Sequence, residues 1–180
     1  MRDGKIAESL WPSAKEMLLP YDGTARQLYV LDNKSRHLKK VLDLIAGQLK
    51  IVQVVALDGD GLLGSEDPVK LDDTVKRKIA ASVDSDTMHG ICGLLLPKAP
   101  LYADFFIDGS NQSFDVELWF HADLLFPNDL DESAHRDIFD KIVNLANAIR
   151  DDDTSQRCVL TPYESGDPRK QLDDPQVIVW

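Results

Sequence analysis

The feature that most constrains the fold is an alternating stretch, YADFFIDGSNQSFDVELWFHA, at positions 102–122. Apolar residues recur at every second position on both sides of the polar turn DGSNQS, which is the pattern of two β-strands with one buried face. The stretch therefore predicts an antiparallel hairpin that pairs 102–107 with 114–120. The residues expected to be buried include Phe105, Val116 and Leu118.

The second face of this hairpin combines acidic and aromatic residues. It holds the alternate positions Tyr102, Asp104, Phe106, Asp108, Asp115, Glu117, Trp119 and His121. Aromatic anchors contribute much of the binding energy of protein interfaces, and complementary charges guide the encounter of the partners. We therefore predict that these residues bind a partner protein. In the alternative interpretation, Trp119 and Phe106 pack beneath a helix or the C-terminal tail, and the acids form a solvated edge.

Charge narrows the class of partner. The formal net charge is −11, and residues 101–140 hold ten acidic residues against Arg136 alone, which is nine of the net negative charges. Nucleic-acid binding needs clustered Lys and Arg, so we expect no nucleic-acid partner. A basic protein is the expected partner, because its charge complements that of the chain.

The chain carries no sign of export or of membrane insertion. No run approaches the roughly 18 apolar residues that a membrane span needs, and the N-terminus lacks the apolar segment and cleavage site of a signal peptide. Cys92 and Cys158 form no CxxC pair and indicate two reduced thiols. We therefore expect a cytoplasmic protein with no membrane partner.

The remaining elements follow from apolar runs and helix caps. QLYVL at 27–31 predicts a strand, and Ser35 is expected to cap a helix that buries Leu38, Val41, Leu42 and Ile45. The nearly continuous apolar run 51–57 predicts a strand buried on both faces. Further predictions are a helix capped by Asp72 or Asp73, a strand at 90–96, a helix at 131–150 capped by Asp131 or Ser133, and strands at 158–160 and 177–180.

This order of elements predicts the fold class. Strands joined by helical crossovers are mixed with a hairpin, which indicates an α+β fold. We expect one domain over residues 1–180, with a mixed or mainly antiparallel sheet and about three helices packed on one face.

One loop suggests catalytic chemistry. The apolar run 51–57 ends in Asp58-Gly-Asp60-Gly61, which resembles the first motif of the haloacid dehalogenase-like phosphohydrolases. The resemblance implies that Asp58 is a nucleophile, that Asp60 is the acid/base, and that both help to hold magnesium. Two carboxylates at positions i and i+2 of extended backbone can face the same phosphoryl group.

The rest of the chain departs from that pattern. Leu62 stands where the family has Thr or Val, and the second acidic motif, Gly166-Asp167 with Asp173, has a spacing one residue too long. A calcium-binding EF-hand loop beginning at Asp58 would need Gly and Glu where Leu63 and Val69 stand. We therefore interpret 58–64 as a glycine-rich turn.

No other constellation predicts catalysis. The four histidines lack the spacing of metal ligands, and no Ser or Cys has a nucleophile context, so we expect no cofactor, no metal and no catalytic residue. Our hypothesis is a non-enzymatic acidic binding protein, of the immunity or inhibitor type found in bacteria, that neutralises a basic partner such as a toxin. The alternatives are the magnesium-dependent phosphohydrolase and a structural or assembly subunit.

Overall fold

The structure is a computed structural model. It describes residues 3–20, 22–48, 50–56, 72–74, 76–77, 88–96, 99–108, 113–150, 156–162 and 167–180. For 3–4, 48, 50–56, 88–96 and 99–108 the description covers the backbone alone.

The strands form one sheet in which every pair of neighbours is antiparallel. Their bounds are β1 Ala25–Lys34, β2 Lys50–Ala56, β3 Met88–Leu96, β4 Ala99–Asp108, β5 Ser113–His121, β6 Cys158–Thr161 and β7 Ile178–Val179. The order across the seven-stranded sheet is β2-β3-β4-β5-β1-β6-β7. The predicted α+β class with a mainly antiparallel sheet is confirmed.

The alternating stretch forms the predicted hairpin. β4 pairs with β5, and its register joins Phe105 to Val116 and Ala103 to Leu118. Val116 and Leu118 are fully buried, as predicted. The side chain of Phe105 lies outside the described part of the chain.

Four described helices have the bounds α1 Asp3–Leu18, α2 Leu38–Gln48, α3 Ala122–Leu125 and α4 Glu132–Arg150. Buried apolar side chains of α1, α2 and α4 form one core with one face of the sheet, which we call the inner face. The inner-face residues in this core are Leu28, Val30, Phe114, Val116, Leu118, Phe120, Cys158 and Leu160. The prediction of about three helices on one face is therefore confirmed.

The first helix was not predicted from the sequence. Pro12 lies inside α1 and is exposed, so the backbone hydrogen bond that proline cannot make is lost on the solvent side. The opposite side of the helix buries Ala7, Trp11, Ala14 and Leu18, and the Trp11 ring lies 5.5 Å from that of Phe139 on α4. Tertiary packing thus outweighs the local cost of the proline.

Two helix starts show one wrong cap and one correct cap. Ser35 begins a short 3-10 turn, Ser35–His37, and its hydroxyl is buried without a hydrogen-bond partner, so the cap predicted there is wrong. The apolar stripe that follows, Leu38 to Ile45, is buried as predicted. At α4, the amide of Ala134 donates to the Asp131 carboxylate at 2.8 Å, so Asp131 is the cap.

A buried arginine joins α1 to the sheet. Arg26 is 1% exposed and lies on the inner face opposite Phe120. Its Nε donates to the carbonyl of Met17 at the end of α1 (3.0 Å), and its Nη2 donates to Asp22 (3.1 Å). Hydrogen bonds from the Thr24 amide and from Arg26 hold the pKa of Asp22 well below its ordinary value. The buried charge of Arg26 is thus paired with a carboxylate, and its N–H groups donate hydrogen bonds to that carboxylate and to backbone carbonyls.

The apolar run at 51–57 forms a strand, as predicted, over residues 50–56. β2 lies at the end of the sheet and, among the described strands, pairs with β3 alone. A strand buried on both faces was expected, but its side chains lie outside the description. Near it, the Asp72 carboxylate accepts from the Thr74 amide (2.8 Å), which supports the predicted helix cap, and Lys76 pairs with Asp43 on α2 (2.7 Å).

Candidate protein-binding face

The residues predicted to bind a partner belong to the face of the sheet opposite the helices. The register pairs Tyr102 with Trp119, Asp104 with Glu117, and Phe106 with Asp115. The side chains of 102–108 lie outside the described residues, so the contacts of Tyr102, Asp104, Phe106 and Asp108 are not characterised. We call this side of the sheet the outer face. It also carries Gln27, Tyr29, Leu31, Val159 and Thr161 of β1 and β6.

Glu117 is buried, whereas the sequence placed it on an exposed acidic surface. It is 6% exposed, and Gln27 Nε2 of the adjacent strand donates to its Oε1 at 2.6 Å. The hydroxyl of Thr161 in turn donates to the Gln27 carbonyl at 3.3 Å. Strand alternation assigned Glu117 to the correct face, but the neighbouring strands of that face cover it. Its carboxylate is hydrogen-bonded within the sheet and is not accessible to a partner in this conformation.

Asp115 is partly exposed and is held by the C-terminal segment. Arg169 Nη1 donates to its Oδ2 at 2.7 Å, and Nη2 donates to its Oδ1 at 3.0 Å, which is a two-pronged contact. The same Nη2 donates to Asp32 Oδ1 at 2.6 Å. Hydrogen bonds to Asp115 and then to Asp32 raise the pKa of the Arg169 guanidinium above its ordinary value.

A β-bulge brings Asp32 to this position. Between Val30 and Asn33, two residues of β1 lie opposite Asp115 of β5, and Asp32 has a φ of 61°. Aspartate is one of the few residues other than glycine that adopt this left-handed conformation. The Asp32 amide donates to Asp115 Oδ1 at 2.8 Å, so the two acids are joined through the backbone as well as through Arg169.

The two ring-bearing residues at the end of β5 lie together. Trp119 and His121 are each partly exposed, and their ring centroids are 6.0 Å apart in an edge-on arrangement. Among the predicted site residues whose side chains are described, Trp119 and His121 are the two with rings that a partner could contact. Trp119 is thus neither fully buried nor fully exposed.

The C-terminal segment 167–177 covers another part of the outer face. Asp167 caps a 3-10 turn, Pro168–Gln171, and beyond it Leu172 and Val177 pack on buried Tyr29, Leu31 and Val159. Sequence reasoning missed this cover and missed Arg169. No local pattern relates position 169 to positions 32 and 115, which are far away in the chain.

The acidic segment continues beyond the hairpin onto the helical side. Asp123, Asp129, Asp131 and Asp137 are exposed. Between α1 and α4 a cavity of about 260 Å³ is lined by Glu8, Asp137 and Asp140 among others. Burial raises the pKa of Asp140, and repulsion from Asp137 and Glu8 adds to it. These acids did not belong to the predicted site.

The described residues show no metal site. No group of three or more His, Cys, Asp or Glu in them is placed to hold an ion. The Asp58-Gly-Asp60-Gly61 loop and Gly166 lie outside the described residues, so the resemblance to the phosphohydrolase motif stays untested, although Asp167 and Asp173 of the second acidic motif are described. Cys158 is buried in β6, and burial raises the pKa of its thiol to about 12. None of the described helices is long and apolar enough to cross a membrane.

Comparison with known proteins identifies no relative. No family model, no curated protein and no solved structure matches the chain.

Proposed function

We propose that the protein is a non-enzymatic acidic binding protein, of the immunity or inhibitor type, that neutralises a basic partner such as a toxin domain in the cytoplasm of a bacterium. The observation that carries the proposal is the concentration of nine net negative charges in residues 101–140. A basic protein that acts on nucleic acid has a cationic cleft, and an acidic surface can occupy it in place of phosphate.

The contact region is proposed along the outer face of β5. Asp115 and Trp119 are partly exposed there, and the register pairs them with Phe106 and Tyr102 of β4. Glu117 is left out of the contact because it is buried. The exposed acids from Asp123 to Asp137 lie outside this contact and contribute by attracting the partner over a distance.

The experiment separates contact from attraction. The chain is co-expressed with candidate basic toxin domains, and association and dissociation rates are measured for Asp115→Lys and Asp129→Lys. Both variants change the charge by the same amount within the acidic segment, and Asp129 is exposed. Long-range attraction predicts that both slow association, more at low salt than at physiological ionic strength, where charges are screened over about 8 Å.

Contact predicts that only Asp115→Lys also speeds dissociation, and Trp119→Ala should do the same because anchors act mainly on dissociation. Equal effects of Asp115→Lys and Asp129→Lys on both rates would contradict the proposed contact region. A lysine at position 117 is unsuitable for this test, because a cation in that buried site would probe folding and not binding.

A further inference from the structure

We propose that Asp32 and Asp115 form a binding site for an arginine side chain, which Arg169 occupies from within the chain and which an arginine of the partner occupies in the complex. The inference rests on the proposed function and deepens it, since it names the side chain that the basic partner must present. It also gives the C-terminal segment 167–177 a role as an internal competitor for the same site.

The geometry selects a guanidinium rather than an ammonium group. Arg169 uses both terminal nitrogens on the two oxygens of Asp115, at 2.7 and 3.0 Å, and shares Nη2 with Asp32 at 2.6 Å. A planar fork can satisfy both carboxylates at once, whereas a lysine ammonium offers a single point of charge.

The site is built by the sheet and not by its occupant. Asp32 stands in the bulge of β1 with a φ of 61°, and its amide donates to Asp115 Oδ1. These features belong to the pairing of β1 with β5. Removal of the Arg169 side chain should therefore leave two carboxylates held close together, which favours any replacement guanidinium.

The internal occupant is held in a way that allows exchange. The Arg169 side chain is 42% exposed and that of Asp32 is 53% exposed, so this ion pair is open to water, while the side chain of Asp115 is 19% exposed. Exchange of one guanidinium for another conserves the charge pairing. What the exchange removes is the packing of Leu172 and Val177 on the outer face, and both are only partly buried.

The segment also has a fixed end beyond the exchangeable part. Trp180 exchanges two backbone hydrogen bonds of 3.0 Å with Cys158, and its indole donates to Asn147 of α4 at 3.0 Å. Displacement of 167–177 would therefore leave the chain attached to β6. The uncovered residues would be Tyr29, Leu31 and Val159, which give a partner an apolar surface beside the arginine site.

The test compares the wild type with Arg169→Ala as hosts for a blocked Gly-Arg-Gly peptide, with blocked Gly-Lys-Gly as the matched control. Binding is followed by amide NMR shifts at positions 32 and 115. Arg169→Ala should bind the arginine peptide about tenfold more tightly or better, because the competent site no longer has an internal competitor. The lysine peptide should bind more weakly, and Asp115→Asn in the Arg169→Ala background should abolish the gain. Equal affinity of wild type and Arg169→Ala for the arginine peptide would overturn the proposal.

A second measurement serves if Arg169→Ala does not fold. In the wild type, saturating arginine peptide should speed hydrogen exchange at the Val177 amide, which is bonded to the Asp174 carbonyl. Exchange at the Trp180 amide, which is bonded to Cys158, should not change. Unchanged exchange at Val177 would also overturn the proposal.

A last arm separates this inference from the proposed function. Tighter binding of the peptide, and also of a basic partner, by Arg169→Ala supports both. Tighter binding of the peptide with an unchanged affinity for the partner supports the arginine site and contradicts its use in the complex.

Discussion

The two faces of the sheet are stabilised by different kinds of contact. Along β5, the inner-face residues Phe114, Val116, Leu118 and Phe120 are at most 1% exposed and form one apolar core with the helices. The outer-face residues of the same strand are acidic, polar or aromatic, and their described contacts include hydrogen bonds with Gln27, Asp32 and Arg169. We expect the inner face to supply most of the stability, whereas the water-exposed contacts of Arg169 on the outer face can be exchanged at small cost.

Each face also contains one charged residue that tests this distinction. Arg26 on the inner face is buried and meets carbonyls of α1 and of the following loop as well as Asp22. Arg169 on the outer face is 42% exposed and meets two carboxylates only at its tip. The first arginine is part of the architecture, and the second can be replaced by an equivalent group.

The largest effect is expected from an inner-face truncation. Leu118→Ala should lower the free energy of unfolding by about 2–5 kcal/mol, because it leaves a cavity in a fully buried core. The matched control is Leu124→Ala, whose leucine is 51% exposed and should change stability by about 0.5 kcal/mol or less. Urea denaturation measures the free energy of unfolding of both variants, and an m-value equal to that of the wild type shows that the comparison is valid. A similar loss from the two substitutions would mean that the inner face is not the main source of stability.

The inner face could be predicted because its signal is local. The two-residue period of β5 assigns Val116 and Leu118 to one side, and the helical period of 138–149 assigns Ile138, Phe139 and Ile142 to the facing side. Both periodicities can be read from a short stretch of sequence, without information about residues far away in the chain. Helix α1 escaped prediction because Pro12 argues against a helix locally, while the contact of Trp11 with Phe139 joins residues far apart in sequence.

The outer face could be predicted only in part. Alternation gave the correct side for Asp115, Glu117 and Trp119, but nothing in the sequence shows which side chains cover them. Glu117 accepts a hydrogen bond from Gln27, which is 90 positions away in the chain. Asp115 accepts from Arg169, which is 54 positions away. The bulge at Asp32 also shifts the register of β1, and a strict two-residue alternation does not predict such a shift.

A smaller effect is expected from the outer-face ion pair. A double-mutant cycle of Arg169→Ala and Asp115→Ala should give a coupling energy of about 0–1 kcal/mol, because exposed pairs are screened and cost side-chain entropy. The coupling should shrink at 1 M salt, where the screening length is about 3 Å. A coupling of several kcal/mol that resists salt would show that the segment 167–177 is fixed, and would contradict exchange at the arginine site.

The smallest effect is expected from a charged cluster at the solvent edge of the helices. The Glu132 carboxylate accepts from Lys15 Nζ at 2.6 Å, from Arg136 at 2.7 Å and from the Trp11 indole at 3.3 Å. These contacts, with Lys15 first, lower the pKa of Glu132 from 4.5 to about 2. Because the folded-state pKa lies below the unfolded value, the ionised group stabilises the fold above about pH 4.5, and this contribution is lost as the pH falls through about 2.

The cluster is open to water, so protonation of Glu132 should lower the melting midpoint only slightly. The change should occur between about pH 4.5 and about pH 2. The sharper measurement is the pKa of Glu132 itself, followed by the carboxyl carbon shift in NMR titrations. Lys15→Met removes the ammonium group that lowers this pKa most and should raise the pKa toward its ordinary value. Lys5→Met, at an exposed position on the same helix, should leave it unchanged. If Lys15→Met had no effect on the pKa, the ion pair would be absent in solution. Exposed charges would then contribute as little on the helical side as we expect them to contribute on the outer face.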